Sequence, residues 1–193
     1  VNVSLGATPF LHELLSEADK HGRRLPSLQA FACGGAEVPP KLIYRAAKVL
    51  DNCRAFRVFG SSEVPLVTLG FVTEQQLDLA ANTDGEILDY SVKVVDDEGN
   101  RLEPGAEGEL MIKGACMFLG YADAEQTAAS FDTEGYFATG DLGRVTADNA
   151  IVITGRKKDL INRGGEKISA KEVEDILHQL AQINEAAVVS MPH

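Results

Sequence analysis

A chain of 193 residues that is 45% hydrophobic and 24% charged has enough apolar mass for a core and lies far from a disordered composition. Eighteen basic against 29 acidic residues give a formal net charge of -11, which argues against nonspecific nucleic-acid binding but leaves room for a compact anion in a local basic pocket. No apolar run approaches the ~20 residues of a membrane span, and the opening residues do not read as a basic-then-apolar leader. The cysteines Cys33, Cys53 and Cys116 lack C-x-x-C spacing, so the expectation is a reducing, cytoplasmic compartment without structural zinc. His12, His21, His178 and His193 are scattered and make no metal-ligand pattern.

In chain order, Thr8-Pro9 reads as an N-cap followed by proline at the first helical position. Phe10, Leu11, Leu14, Leu15 and Ala18 form the apolar face behind it. Leu28–Cys33 is short, mostly apolar and without period, as a strand buried on both faces would be. It runs into Gly34-Gly35-Ala36-Glu37 and Pro39-Pro40, and Leu42, Ile43, Ala46, Ala47 and Leu50 then mark a second helix. The pattern repeats at Ala55–Phe59, predicted as the next parallel strand, which ends in Gly60-Ser61-Ser62-Glu63. Adjacent parallel strands place both turns along one sheet edge, where ligands of open α/β sheets bind. Glycines let a backbone approach a ligand closely, while serines and a glutamate supply hydrogen bonds and a metal-binding oxygen.

From Asp84 the character changes to that of a small antiparallel β-subdomain. Val92–Val95 followed by Asp96-Asp97-Glu98-Gly99-Asn100 is a hairpin signal, and Glu109–Gly114 reads as the next strand. A short helix is expected through Ala124–Phe131, then a strand or loop from Gly135 that ends at Asp141, then a strand over Ile151–Thr154. That strand delivers the chain to a basic stretch, Gly155–Ser169, with five basic residues between Arg156 and Lys167. The stretch reads as a mobile, glycine-bounded linker that handles an anion. Ser169-Ala170-Lys171-Glu172 has the capping-box form, and a helix is predicted over Glu172–Ile183, with Ala186–Val189 as a closing strand. One helix and one strand cannot bury a core, so a second domain is expected to continue beyond them.

Phe59-Gly60-Ser61-Ser62-Glu63, Tyr136–Asp141 and Gly155–Gly165, in this order and spacing, resemble the AMP-forming acyl-CoA synthetase (adenylate-forming) superfamily. Gly34–Glu37 and Gly120-Tyr121 fit the same pattern, and within the family the chain looks most like ligases for small aliphatic, alicyclic or aryl acids. The resemblance implies an α/β protein in which 1–83 is the parallel-sheet portion of a large AMP-binding domain and 84–157 its antiparallel β-subdomain. Residues 158–193 would then be a hinge and the truncated start of an α+β C-terminal domain. The family's phosphate loop would lie upstream of Val1 and its C-terminal catalytic lysine downstream of His193. The chain is therefore expected to be an internal fragment, inactive by itself.

The resemblance also implies roles. The reaction has two halves, formation of an acyl-adenylate from a small carboxylic acid and ATP, then transfer of the acyl group to CoA, and AMP and Mg²⁺ are expected at the site. Phe59 would stack on adenine, with Gly34, Gly35, Ala36 and Gly60 lying along the nucleotide and acyl group. Ser62 would offer its hydroxyl to the α-phosphate and Glu63 would hold Mg²⁺, while Ser61 fits either a phosphate contact or a plain turn. Asp141 would accept hydrogen bonds from the ribose hydroxyls, and Arg156 would reach the ribose and phosphates. Ile153 fits either packing near adenine or an ordinary core position. Lys158 matches the hinge, where the small domain pivots between half-reactions, and Gly165 would line the channel for the CoA thiol. Val64 is a further candidate for the acyl pocket. Two alternatives stand beside the CoA ligase: an enzyme that loads the acyl group onto a carrier protein, and a noncatalytic nucleotide-binding module. The acid and the oligomeric state are not readable from the residues.

Overall fold

A computed structural model describes the chain except at Gly164, Gly165, Gln179, Ala181, Asn184, Glu185, Pro192 and His193. The chain divides into two compact units. The first comprises Val1–Tyr90, Gly114–Gly120 and Ala147–Val152. It opens with β1 (Val3–Gly6), α1 (Thr8–Lys20), β2 (Ala30–Cys33), α2 (Pro40–Val49) and β3 (Arg54–Arg57). The three strands form one sheet in the order β1-β2-β3, with both pairs parallel. Such pairing needs a crossover, and the two helices provide it. Register sets Cys33 opposite Arg57, and Val58 N–H donates to the Cys33 carbonyl at 2.9 Å, so the chain leaves β2 and β3 side by side at the same sheet end.

The helices follow their apolar spacing. Leu11 and Leu15 of α1 and Ile43 and Ala46 of α2 are fully buried against Phe31 and Phe56 of the sheet strands. Two details differ from expectation. Thr8 is the first helical residue rather than the cap, which is Ala7, and its hydroxyl donates to the Glu37 carbonyl at 2.6 Å. Phe10 is 65% exposed, and it lines an open apolar hollow with Leu5, Leu14, Leu25, Leu28 and Phe31 instead of joining the core. The rest of the unit contains β4 (Thr68–Leu69), α3 (Leu77–Asn82) and β5 (Glu86–Ile87), with β4 and β5 antiparallel.

The second unit comprises Ser91–Lys113, Tyr121–Thr146 and Ile153–His193. The strands β6 (Tyr90–Val95), β7 (Gly108–Gly114), β8 (Phe137–Val145) and β9 (Ile151–Arg156) form a sheet in that order, and α4 (Ala124–Ala129) lies between β7 and β8 in the chain. The turn after β6 is as expected: Asp96 Oδ1 accepts the Glu98 and Asn100 N–H groups, and Gly99 takes the left-handed conformation. The basic stretch is not an irregular linker. Lys157–Asp159 make one 3-10 turn, and β10 (Leu160–Arg163) pairs antiparallel with β11 (Glu166–Ser169) before α5 (Ala170–Leu177). Ser169 caps α5 by accepting the Glu172 N–H at 3.3 Å, as its spacing predicted, but the helix ends at Leu177 rather than Ile183. Ala186–Val189 form no strand. The Val188 N–H donates to Glu174 Oε1 at 2.6 Å, so a helix side chain takes the group a ladder would need.

Ile43 lies at the centre of the first unit's core. Ile43→Ala is expected to destabilise the fold by about 2–5 kcal/mol, the cost of a buried aliphatic truncation, read as a lowered urea midpoint with an unchanged slope.

Candidate functional site

The candidate residues fall into two groups, one in each unit. In the first unit they occupy the turns that leave β2 and β3. Gly34 sits where a Cβ would stand 2.6 Å from the Val58 carbonyl oxygen, so no larger residue fits beside the neighbouring strand. The constraint on Gly34 is therefore met within the protein itself. Gly35 and Ala36 follow, both exposed. Across from them Phe59 is half-buried, Gly60 and Ser62 are exposed, and Ser61 and Glu63 are half-buried.

The second of these turns is closed by its own residues. Ser61 N–H donates to the Val64 carbonyl at 3.0 Å, and Ser61 Oγ accepts the Glu63 N–H at 3.2 Å and the Val64 N–H at 3.3 Å. The Ser61 hydroxyl donates to Glu63 Oε2 at 2.8 Å. Ser61 is thus the residue that shapes the turn, and its hydroxyl is engaged with Glu63. Val64 is fully buried beneath the turn.

In the second unit Asp141 and Arg156 come together. Their placement depends on an irregularity of the β7–β8 ladder. Met111 faces Ala138 and Glu109 faces Leu142, so β8 carries extra residues between these pairs, and Thr139, Gly140 and Asp141 form the bulge. Gly140 has φ +72°, a left-handed conformation that glycine adopts without steric cost. Thr139 fixes the bulge from both sides: its hydroxyl donates to the Leu110 carbonyl at 2.8 Å and accepts the Asp141 N–H at 3.0 Å. Bulges re-aim side chains in this way. Asp141 is only 5% exposed, and its Oδ1 lies 3.0 Å from Nε of Arg156 at the end of β9. Burial pushes the Asp141 carboxyl above the usual carboxylate range, and Arg156, with help from Lys158, draws it back down. Ile153, on the same strand as Arg156, is half-buried.

Lys158 is exposed in the 3-10 turn, directly after the Arg156-Lys157 step. Lys157 bonds Glu109 Oε2 at 2.7 Å, and Lys167 pairs with Asp97. Gly165 lies outside the described residues.

Two clusters were not anticipated. Lys93 on β6, 9% exposed, bridges Asp132 at 2.6 Å and Glu134 at 2.5 Å and lies 4.5 Å from the centre of the Tyr136 ring. It clamps the turn that feeds β8. Arg57 on β3 forms a buried ion pair with Asp84 at 2.6 Å. A charged residue inside an otherwise apolar strand needs a buried partner, and Arg57 within Ala55–Phe59 was the signal that one existed.

The raised Asp141 carboxyl fixes the sign of a pH effect. The folded state holds this proton more tightly than the unfolded chain, so stability falls as pH rises through the folded pKa. Asp141→Asn should therefore raise the melting temperature at pH 8. The gain should shrink as pH falls into the range where Asp141 protonates. Arg156 keeps water for a partner because its side chain is 55% exposed. A melting temperature that drops at pH 8 would contradict this account.

The chain has clear relatives. The AMP-binding enzyme family matches residues 1–122. The medium-chain fatty-acid–CoA ligase of Escherichia coli (strain K12) is 42% identical over 97% of this chain and 33% of its own length. The 2,3-dihydroxybenzoate-AMP ligase of Bacillus subtilis (strain 168) is 36% identical over 100% of the chain and 36% of its own. Among solved structures, o-succinylbenzoate CoA synthetase from Bacillus subtilis in complex with its acyl-adenylate intermediate superposes with a TM-score of 0.82 at 26% identity, over 100% of this chain and 39% of that one. The chain thus spans about a third of the length of the curated relatives it matches. With the motif order, the parallel sheet end and the bulge-borne aspartate in place, the chain belongs to the AMP-binding enzyme family.

Proposed function

We propose that this chain is part of an ATP-dependent, AMP-forming carboxylate–CoA ligase. The observation that carries the proposal is Asp141, an ionisable side chain buried on a dedicated bulge and met by Arg156 alone among the ion pairs described for it. A buried carboxylate beside a half-exposed guanidinium is suited to a neutral, hydroxyl-bearing ligand with an anionic neighbour, as ribose and phosphate are. Ribose hydroxyls would donate to Asp141, each charge-assisted bond contributing about 1.5–3 kcal/mol, while Arg156 turns its remaining N–H groups to phosphate.

In the first unit, Phe59 would offer its ring to adenine, a contact worth ~1–3 kcal/mol for base stacking in nucleic-acid sites. Ser62, exposed on the turn, would donate to the α-phosphate. Glu63 suits Mg²⁺ because this ion keeps several waters and takes one or two protein carboxylates plus phosphate oxygens. Among the described residues no cluster of three His, Cys, Asp or Glu side chains could hold a metal, so the ligand set would rest on Glu63 and the nucleotide. The bound ion would offset negative charge as the carboxylate attacks. Gly34, Gly35, Ala36 and Gly60 would leave the sheet end open to nucleotide and acid, and Ile153, on the strand that carries Arg156, would pack near adenine.

The second half-reaction rests on the segment after β9. Lys158 would be the pivot, Gly165 would line the path of the thiol, and 158–193 would belong to the moving domain. CoA as acceptor is supported by the 42% identity with a fatty-acid–CoA ligase. The second reading, loading of a carrier protein, keeps the same adenylation chemistry.

The test is ATP–pyrophosphate exchange by the full-length parent over a panel of small acids, followed by mass spectrometry for the CoA thioester. Exchange without thioester would move the assignment to carrier-protein loading; no exchange with any acid would end the enzymatic reading. In the same parent, Asp141→Ala is expected to weaken ATP binding at least about tenfold, the loss of one charge-assisted bond or more. Lys158→Pro, by fixing φ, should leave exchange intact while abolishing thioester formation.

A further inference from the structure

Resting on the nucleotide reading of the Phe59–Glu63 turn, we propose that Thr68 is a positioning residue for that turn, acting through the Phe59 backbone from an anchor on the buried Arg57–Asp84 pair. No residue of the motifs lies in this anchor, and all of it lies in the first unit. Thr68 is wholly buried on β4. It holds both polar groups of the Phe59 peptide: Phe59 N–H donates to Thr68 Oγ1 at 2.8 Å, and Thr68 N–H donates to the Phe59 carbonyl at 3.2 Å. Its hydroxyl proton goes on to the Asp84 backbone carbonyl. The hydroxyl is therefore at once acceptor and donor, and an isosteric valine can be neither.

What it leans on is stiff. Arg57 directs Nε at 2.9 Å and Nη2 at 2.6 Å to Asp84 Oδ1, and Nη1 at 3.1 Å to the Ala81 carbonyl. Asp84 N–H donates to Ile151 O at 2.7 Å, fixing the same residue from another strand. Arg57 and Asp84 are 6% and 7% exposed, so water does not compete for these bonds. Three residues thus join the exit of β3 to β4 and to the start of β5. The far end of the turn is closed by Ser61 on Glu63, as described above. The Phe59 backbone places the Cα–Cβ bond from which its ring would reach a base. Thr68 sets that backbone.

The experiment uses the full-length parent with Thr68→Val and Thr68→Ser. Deuterium uptake by the Arg57–Thr68 segment is measured without nucleotide, AMP affinity by calorimetry, and the KM values for ATP and acid by pyrophosphate exchange. Thr68→Val is expected to speed exchange at the Phe59 amide and to raise the AMP Kd and ATP KM by about tenfold, the effect of losing two buried hydrogen bonds. The acid KM should stay within twofold, and Thr68→Ser should restore every value to within about threefold. Should Thr68→Val fail to fold, Arg57→Lys decides: it keeps the charge, loses the fork and is expected to raise the AMP Kd with the acid KM unmoved. An unchanged AMP Kd in these variants, or an equal rise in ATP and acid KM, would overturn the role of Thr68 while leaving the functional reading intact. If the wild-type parent neither binds AMP nor exchanges pyrophosphate, the functional reading fails, and with it this role, whatever the deuterium uptake.

Discussion

The parallel pairing of β2 with β3 is the constraint from which the first unit's candidate residues follow. Two neighbouring strands that run the same way end at the same edge, and Cys33 opposite Arg57 fixes that ending to the residue. Shifted by one position, the side chains of the slipped strand would exchange faces. Gly34 would then no longer meet the Val58 carbonyl, and either Phe31 or Phe56, both buried, would leave the core. Core packing and the placement of the Gly34 and Gly60 turns are thus one requirement. The glycine that allows the strands to stand so close is also the one that leaves the edge uncluttered.

The second unit reaches its candidate residues by breaking a ladder instead of extending one. Antiparallel pairing of β7 with β8 would alternate side chains regularly between faces. The extra residues at Thr139–Asp141 interrupt this alternation, and Thr139 replaces the lost ladder bonds with its own hydroxyl. The outcome is a carboxylate held where burial makes its charge costly, next to a cation only partly withdrawn from water. Groups whose ionisation is opposed by their surroundings concentrate at functional sites. Here the opposition has an identifiable origin, the bulge that Thr139 and Gly140 build.

How much of this is legible in the residues depends on what carries the signal. An apolar run announces β2, one interrupted by Arg57 announces β3, and 3.6-residue spacing announces α1 and α2, because burial demands those patterns. β1 carries Val3 and Leu5 at 65% and 71% exposure among small polar residues, so no burial pattern marks it. In α3 only Ala80 and Ala81 are buried, and alanines give no periodicity to count. β4 and β5 are two residues each, too short for alternation to register. The β10–β11 hairpin is masked by its own charge: Arg163 and Lys167 suggest a solvated linker, yet Asn162 pairs with Lys167 and Arg163 with Glu166 in a regular ladder. Among candidate residues, the motif order pointed to Asp141, but the strand was expected to stop there. It continues to Val145 because a bulge bends a strand without ending it. Thr68 and Asp84 lie in no motif, and only Arg57 within the otherwise apolar run Ala55–Phe59 hinted at them.

The basic stretch after β9 shows how the chain distributes its few cations. On the near side of the proposed pivot at Lys158, Lys157 bonds Glu109, whose side chain is only 13% exposed. On the far side, Lys167 bonds Asp97, whose side chain is 56% exposed. Charges withdrawn from water hold their partners against salt, whereas exposed pairs contribute about 1 kcal/mol or less and are screened. A pivot between the two would therefore keep the stronger pair and release the weaker. Both carboxylates belong to the β6–β7 segment, so the same small sheet that presents Asp141 fastens one side of the turn firmly and the other only loosely. In a chain of net charge -11, lysines placed in this graded way suit the tethering, without locking, of the segment proposed to move.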